Sequence, residues 1–321
     1  MRQAVVGIDL GGTNIRAGLV LADGQRVREA RTSTQGPGGT VVERVVDLVR
    51  SLRDASRGQA DVVAVGVGSA GVVDRSRGMV LSSVNIPGWT NIPLRDGIQE
   101  PLGLPVVLEN DANAAALGEM WQGAGRAYRH FVLLTLGTGV GGGVILDGRI
   151  WHGVHGVGGE VGHVTVDPDG PRCNCGNRGC LEQYASATAV VRYVREAGSR
   201  GEATPLAQSQ DLTAEAVARA ARQGDRVALG AFQQVGRALG IALAGLANIL
   251  DPQAFILGGG LLGAWDLFIG PLEKELRWRA YPQVERPLTV CPATLGDDAG
   301  ILGAARLAWD EIGREGGNPE P

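Results

Sequence analysis

The chain has 321 residues, 44% of them hydrophobic and 20% charged, which is enough apolar material for two domains with substantial cores. Its net charge of −4, with no block of basic residues, argues against nucleic acid or a membrane as a partner. Of the 30 basic residues only Lys274 is a lysine, which excludes a Walker-type phosphate loop and the strand lysine of protein kinases and disfavours Schiff-base chemistry.

Strand residues begin near position 4, with no charged leader ahead of an apolar stretch, and no window approaches 18 uninterrupted apolar residues. A cytoplasmic protein without a spanning helix is expected. Val5–Val20 reads as an apolar strand, a Gly11-Gly12-Thr13 turn and a second apolar strand, closed by Asp23-Gly24. The same four parts recur in Val132–Ile145, with the turn Gly137-Thr138-Gly139 and the closing pair Asp147-Gly148. This duplication predicts two similar lobes around a cleft. Between the hairpins, residues 41–54 have helical periodicity, and 61–67 and 104–108 are buried-strand runs. A helix starts at Asn110 or Asp111, both good N-caps, and runs to Trp121. Further helices are expected over about 181–198, 226–250 (stopped by Asp251-Pro252) and 299–312, with a loop at 199–212 and a strand and glycine turn at 254–260. Such alternation is α/β architecture.

Two segments, Gly66–Gly71 and Gly137–Gly142, formally fit a dinucleotide fingerprint, but strand residues rather than a helix follow each. The glycine turns at 11–13, 137–139 and 258–260 instead suit backbone N–H groups and the hydroxyls of Thr13 and Thr138 gripping phosphate oxygens. The plainer alternative is hairpins that need positive φ. Asp9, beside the first turn, either holds a Mg²⁺-bound water or caps the turn. In Glu109-Asn110-Asp111, the last two residues are N-caps, or a carboxylate at a strand's carboxyl end acts as a general base. His130, His152 and His155 fall in no comparable constellation.

His163, Cys173, Cys175 and Cys180 supply three thiols and one imidazole within a short span, a match for a closed tetrahedral Cys₃His zinc site. In a reducing compartment such clustered cysteines favour metal over disulfides. Four protein ligands leave no open position, so the zinc is structural. Glu160 and Glu182 flank the cluster and can accept hydrogen bonds from hydroxyls. Cys291 packs as a small strand residue.

Together these residues resemble the ROK family of sugar kinases in the actin-like hexokinase superfamily. The likeness is carried by Asp9-Leu10-Gly11-Gly12-Thr13, Leu108–Ala115, Leu136–Gly143, and Glu160-x-Gly162-His163 followed by the cysteine run to Glu182. It implies a two-lobed actin-like (ribonuclease H-like) ATPase fold with a duplicated βββαβαβα core. Residues 1–116 plus 305–321 would form the small lobe and 117–304 the large one. It also implies an ATP-dependent kinase acting on the 6-hydroxyl of a hexose, with Asp111 as base. Gly71, Asn85, Asn110, Asp111, Glu160, His163 and Glu182 would bind the sugar. Gly11, Gly12, Thr13, Asn14, Gly137, Thr138, Gly139, Gly258 and Gly259 would bind ATP, with Mg²⁺ near Asp9. Asn14 stands where many members have lysine. Within the family the glucokinases are most alike, through Asn85-Ile86-Pro87-Gly88-Trp89 and Glu182–Ser186. Polyphosphate-using relatives tend to lack the cysteine cluster, which points to ATP. Mannose, fructose or an N-acetylhexosamine are the alternative sugars, and a homo-oligomer, dimer or tetramer, is expected. A sugar-sensing regulator without catalysis is the alternative of another class. Its usual N-terminal helix-turn-helix finds no room before a strand beginning near residue 4.

Overall fold

A computed structural model of the protein describes residues 1–36, 39–83, 85–281 and 288–315. In chain order the first part runs β1 (Arg2–Leu10), β2 (Asn14–Leu21), β3 (Arg26–Ser33), α1 (Val41–Ala55), β4 (Ala60–Ser69), β5 (Val72–Asp74), β6 (Met79–Ser82), β7 (Thr90–Ile92), α2 (Leu94–Leu102), β8 (Val106–Asn110) and α3 (Asp111–Gln122). Then follow β9 (Phe131–Leu136), β10 (Val140–Leu146), β11 (Arg149–Ile150), α4 (Glu182–Ala185), α5 (Ala187–Ser199), α6 (Ala214–Arg222), α7 (Arg226–Leu250), β12 (Ala254–Gly258), α8 (Trp265–Arg279), β13 (Thr289–Pro292) and α9 (Ala299–Glu315).

Two five-stranded sheets have the orders β3-β2-β1-β4-β8 and β11-β10-β9-β12-β13. Position for position these are the same order, so the repeat read from the two hairpins is a repeat of the sheet. In the first sheet β1, β2 and β3 form an antiparallel meander, while β4 and β8 join parallel to β1. In the second, β12 runs parallel to both β9 and β13.

The chain divides into two compact units, residues 1–129, 143–159 and 293–321 in one and 130–142 and 160–292 in the other. The boundaries drawn from sequence, 116/117 and 304/305, fall inside α3 and α9. Both helices lie whole in the first unit because they pack on each other at small residues: a Cβ on Gly303 would stand 1.6 Å from Ala114 O. The last six residues of the sequence-level small lobe, 316–321, lie outside the described residues.

In the first unit the sheet is buried on both faces, which explains the uninterrupted apolar run of β1. Ala4, Val6, Ile8 and Leu10 face a core closed by Val45, Val49 and Leu52 of α1 and Leu94 and Ile98 of α2. Val5 points the other way, with Ile301, Ala305 and Ala308 of α9. The α1 start is a capping box: Thr40 Oγ1 accepts from Glu43 N while Glu43 Oε2 accepts from Thr40 N.

In the second unit β12 is wholly buried, and α7 is the long apolar helix expected. By length and composition α7 is apolar enough to cross a membrane, but Phe232, Val235, Leu239 and Leu243 are buried in the unit, and it packs on α8. It starts at the Asp225 cap and stops at Asp251 with φ 44°, ahead of Pro252. The single helix expected over 181–198 is two, because Ser186 is extended and its side chain caps α5 by accepting from Ala189 N.

Candidate functional site

In the first unit the parallel register gathers polar residues at the carboxyl ends of three strands. Asp9, Gly68 and Glu109 lie in one row across the sheet, and Leu10, Ser69 and Asn110 in the next. This edge is where open parallel sheets bind ligands. Burial, above all, raises the pKa of Asp9; Asp297 adds to the rise and Arg16 opposes it. Gly300, in the first turn of α9, makes room for this carboxyl, since a Cβ there would stand 3.0 Å from Asp9 Cγ.

The first glycine turn closes with Gly11 N donating to Asn14 O at 3.0 Å, and Thr34 Oγ1 donates to Gly11 O at 2.7 Å. Gly12 packs on Asn85 so closely that a Cβ would meet Asn85 O at 2.5 Å. Thr13, Asn14 and the Asn85 residue are exposed. Gly71 adopts φ 113°, and its carbonyl accepts from Asn110 Nδ2 at 3.1 Å. Asn110 is also the α3 N-cap: its Oδ1 accepts from Ala112 N at 2.9 Å and Asn113 N at 3.2 Å. Asp111 follows as the first residue of α3, with Oδ1 accepting from Ala112 N at 2.9 Å.

Glu109 is 1% exposed, and each of its oxygens has two donors. Oε1 accepts from Asn110 N at 3.0 Å and Asn113 Nδ2 at 3.1 Å. Oε2 accepts from Arg75 Nε at 3.1 Å and His152 Nε2 at 2.8 Å. Burial would raise this carboxyl's pKa, but the His152 hydrogen bond and the Arg75 charge outweigh it, and the net shift is downward. His152 therefore does belong to a constellation, contrary to the reading of the sequence. Its partners lie 43 and 77 residues away, beyond the reach of any local pattern.

In the second unit His163 Nδ1 stands 3.7 Å from Cys173 Sγ, and Cys175 Sγ stands 3.6 Å from Cys180 Sγ. All four ligand atoms fall within 4.8 Å of one another. A tetrahedral zinc with Zn–S of about 2.3 Å and Zn–N of about 2.0 Å implies ligand–ligand edges of about 3.5–3.8 Å, so these residues fit a metal. Burial and the neighbouring sulfurs push the Cys180 thiol up to about 12, while the backbone N–H of Asn177, foremost, lowers Cys175. The other His163 nitrogen, Nε2, is 3.9 Å from Glu160 Oε2. Glu182 Oε1 lies 3.9 Å from Cys173 Sγ, and its Oε2 accepts from Val140 N at 3.1 Å. The cluster is thus tied through Glu182 to the residue after the second glycine turn.

That turn is held by Gly137 N donating to Gly139 O at 2.9 Å, Ala187 N to Gly137 O at 2.8 Å and Thr188 Oγ1 to Thr138 O at 2.8 Å. It opens onto a cavity of about 410 Å³, with Thr213, Glu215, Arg222 and Leu261 among its walls. Ala187 and Ala214, the first residues of α5 and α6, and Gly260, which opens a short 3-10 turn, also line it. Helix N-termini present unpaired N–H groups and positive potential, the environment a polyphosphate needs. Arg222 spans Asp266, with Nη2 to Oδ1 at 2.6 Å and Nε to Oδ2 at 3.1 Å, and also donates to Gly263 O at 2.5 Å, fixing the wall at 260–264. Of the third glycine turn, Gly258 is buried at the end of β12, Gly259 turns at φ 89° against Leu136, and Gly260 reaches the cavity. The walls from α6 escaped sequence reading. The signal was there in Thr213, whose side chain caps α6 by accepting from Ala216 N at 3.2 Å.

A model described as the ROK family matches residues 5–311. The chain is 42% identical over 315 residues to a glucokinase of Thermotoga maritima, covering 96% of this chain and 98% of that one. The solved structure of a ROK family glucokinase from Streptomyces griseus, in complex with glucose and AMPPNP, matches with a TM-score of 0.81 and 41% identity over 96% of this chain and 99% of that one. A ROK family transcriptional regulator matches with a TM-score of 0.85 and 30% identity, over 95% of this chain and 77% of the regulator. The twice-repeated sheet is the mixed α/β, actin-like ATPase fold of the ROK sugar kinases. With a match of this length to the family model, the chain belongs to the ROK family.

Proposed function

We propose that the protein transfers the γ-phosphoryl group of ATP to the 6-hydroxyl of a hexose, D-glucose first among them. One observation carries the reading: the chain holds a carboxylate at the carboxyl edge of a parallel sheet, Asp111, and a cavity edged by helix N-termini beside Gly137-Thr138-Gly139. The first suits a general base and the second a polyphosphate, the two requirements of phosphoryl transfer to an alcohol. The names of the relatives at about 40% identity support glucose as the acceptor.

In this reading Asp111 accepts the proton of the 6-hydroxyl as its oxygen attacks phosphorus. Asn85, Asn110, Glu160, His163, Glu182 and the Gly71 turn hold the other hydroxyls. Gly11, Gly12, Thr13 and Asn14, with Gly137, Thr138, Gly139, Gly258 and Gly259, position ATP. Asp9 is the carboxylate that would hold Mg²⁺ through water, as a single acid suits a cation that keeps most of its hydration shell. When bound, Mg²⁺ neutralises charge on the transferring phosphate. His163, Cys173, Cys175 and Cys180 would hold a structural zinc, which fixes His163, Glu160 and Glu182 on a rigid knot. We place the enzyme in the cytoplasm, where thiols stay reduced, as a homo-oligomer whose order light scattering would measure.

A second reading, a sugar sensor without catalysis, is favoured by the TM-score of 0.85 to a transcriptional regulator. A coupled assay with ATP and glucose, mannose, fructose or N-acetylhexosamines separates the two. Turnover with glucose supports the kinase. Tight sugar binding with background ATP consumption supports the sensor.

A further inference from the structure

Glu109 carries a buried charge that the proposed chemistry does not use. Its Oε1 holds the chain on both sides of Asp111, through Asn110 N at 3.0 Å before it and Asn113 Nδ2 at 3.1 Å after it. The Asn113 amide is fixed in this orientation, since its NH₂ must face the carboxylate. Its buried Oδ1 finds no donor among the described residues, so the bond to Glu109 is what holds this side chain.

The opposite carboxylate oxygen is held in turn by Arg75 and His152, and these two also touch each other, Arg75 Nη1 to His152 Nδ1 at 3.2 Å. Arginine has only donors, so His152 Nδ1 is the acceptor and Nε2 carries the proton given to Glu109. Arg75, His152 and Glu109 close a triangle. Without the two donors a carboxyl this deeply buried would take up a proton. The proton would sit on Oε2, where the donors are lost, and the neutral carboxyl would hold Asn110 N and Asn113 Nδ2 through Oε1 more weakly than the carboxylate does. The segment 151–159 that bears His152 leads in sequence straight to Glu160 and His163, and is itself tied back by Gly158 N donating to His152 O at 2.7 Å.

We propose that Arg75, His152 and Glu109 form a clamp that sets the position of Asp111, with His152 and Glu109 as positioning residues for the reaction. The proposal rests on the reading of Asp111 as the base. The clamp acts through the backbone of residue 110 and the side chain of residue 113.

The test compares wild type, His152→Ala and His152→Gln by steady-state kinetics with glucose and ATP, and by amide hydrogen exchange. A base displaced by a fraction of an ångström to about 1 Å costs roughly 10- to 100-fold in rate. His152→Ala is expected to lower kcat by that factor with KM for ATP unchanged, and to speed exchange at residues 110–113 while α9 keeps its protection. His152→Gln retains an N–H for Glu109 and should recover most of kcat and the slow exchange. Should His152→Ala not fold, Arg75→Ala, at a partner whose side chain is 39% exposed, replaces it with the same expected pattern. Wild-type kcat and wild-type exchange at 110–113 in His152→Ala, or in Arg75→Ala where that takes its place, would overturn the clamp. So would an equal loss in the alanine and glutamine variants. A wild-type protein without glucose phosphorylation overturns the proposed function instead, and the exchange comparison still judges the clamp.

Discussion

Removing one thiol of the cysteine cluster tests the proposed structural zinc, and Cys175 is the thiol to remove. Cys173 and Cys180 are 6% and 0% exposed, so their loss would mix packing with coordination, whereas Cys175 is exposed and contributes little to any core. A structural zinc binds with about 10–16 kcal/mol, so losing one of four ligands removes on the order of 3 kcal/mol. At about 2–4 °C per kcal/mol, Cys175→Ala should lower Tm by about 6–12 °C. The kinetic effect should fall on the sugar. Glu160 and His163 stand on the knot, and Glu182 follows it. Loosening one charge-assisted hydrogen bond, worth about 1.5–3 kcal/mol, raises KM for glucose about tenfold or more. KM for ATP should move less. Differential scanning calorimetry with and without a chelator, metal analysis and initial-rate kinetics measure all of this. Chelator, which removes the whole ion, should lower Tm in wild type by more than the substitution does, and should lower it further in a variant whose three remaining ligands still hold metal. A metal-free Cys175→Ala protein with wild-type Tm and wild-type KM for glucose would refute the reasoning.

Three further outcomes are expected. Asp9 has its pKa raised mainly by burial, so folding favours the protonated form; that stability is complete below the ordinary value of 3.8 and lost as pH rises through the folded pKa. Asp9→Asn should therefore raise Tm at about pH 7 and nearly abolish Mg²⁺-dependent turnover, with the Tm gain shrinking toward about pH 4; a Tm gain that is independent of pH would contradict this. Glu119 is 0% exposed and accepts from Ala124 N at 2.7 Å, Thr294 N at 3.0 Å and Leu295 N at 2.8 Å, so Glu119→Gln, with one acceptor oxygen, should cost roughly 2–4 kcal/mol in urea unfolding. Unchanged unfolding would show that these bonds carry no net stability. Arg222→Ala frees the wall at 260–264 and should raise KM for ATP by about 2- to 10-fold, with KM for glucose unchanged; an equal rise for both substrates would contradict the proposal that this cavity takes ATP.

Much of the fold was legible because local chemistry wrote it. Asn110 caps α3, Asp251-Pro252 stops α7, and the two hairpins announce a sheet order that occurs twice. Four soft ligands, at residues 163, 173, 175 and 180, were readable as one cluster because they are close in sequence. What escaped was set by distant pairing. Arg75, Glu109 and His152 meet only once β8 is laid into the sheet, and Glu119 finds Thr294 across 175 residues. Ser186 escaped for a different reason: the apolar run continues through it, and only its extended backbone breaks the helix in two. α6 carries ordinary helical sequence, but flanking polar loops obscured it.

The central claim is that this chain phosphorylates glucose at the 6-hydroxyl with Asp111 as base. Incubation with glucose, ATP and Mg²⁺, followed by ³¹P and ¹³C nuclear magnetic resonance of the product, tests it most directly when wild type and Asp111→Ala are run side by side. Wild type should yield the 6-phosphate, and the variant almost none while still binding glucose, since loss of a general base costs about 10²–10⁴-fold. Phosphate at another position, no product from wild type, or near-wild-type turnover by Asp111→Ala would contradict it.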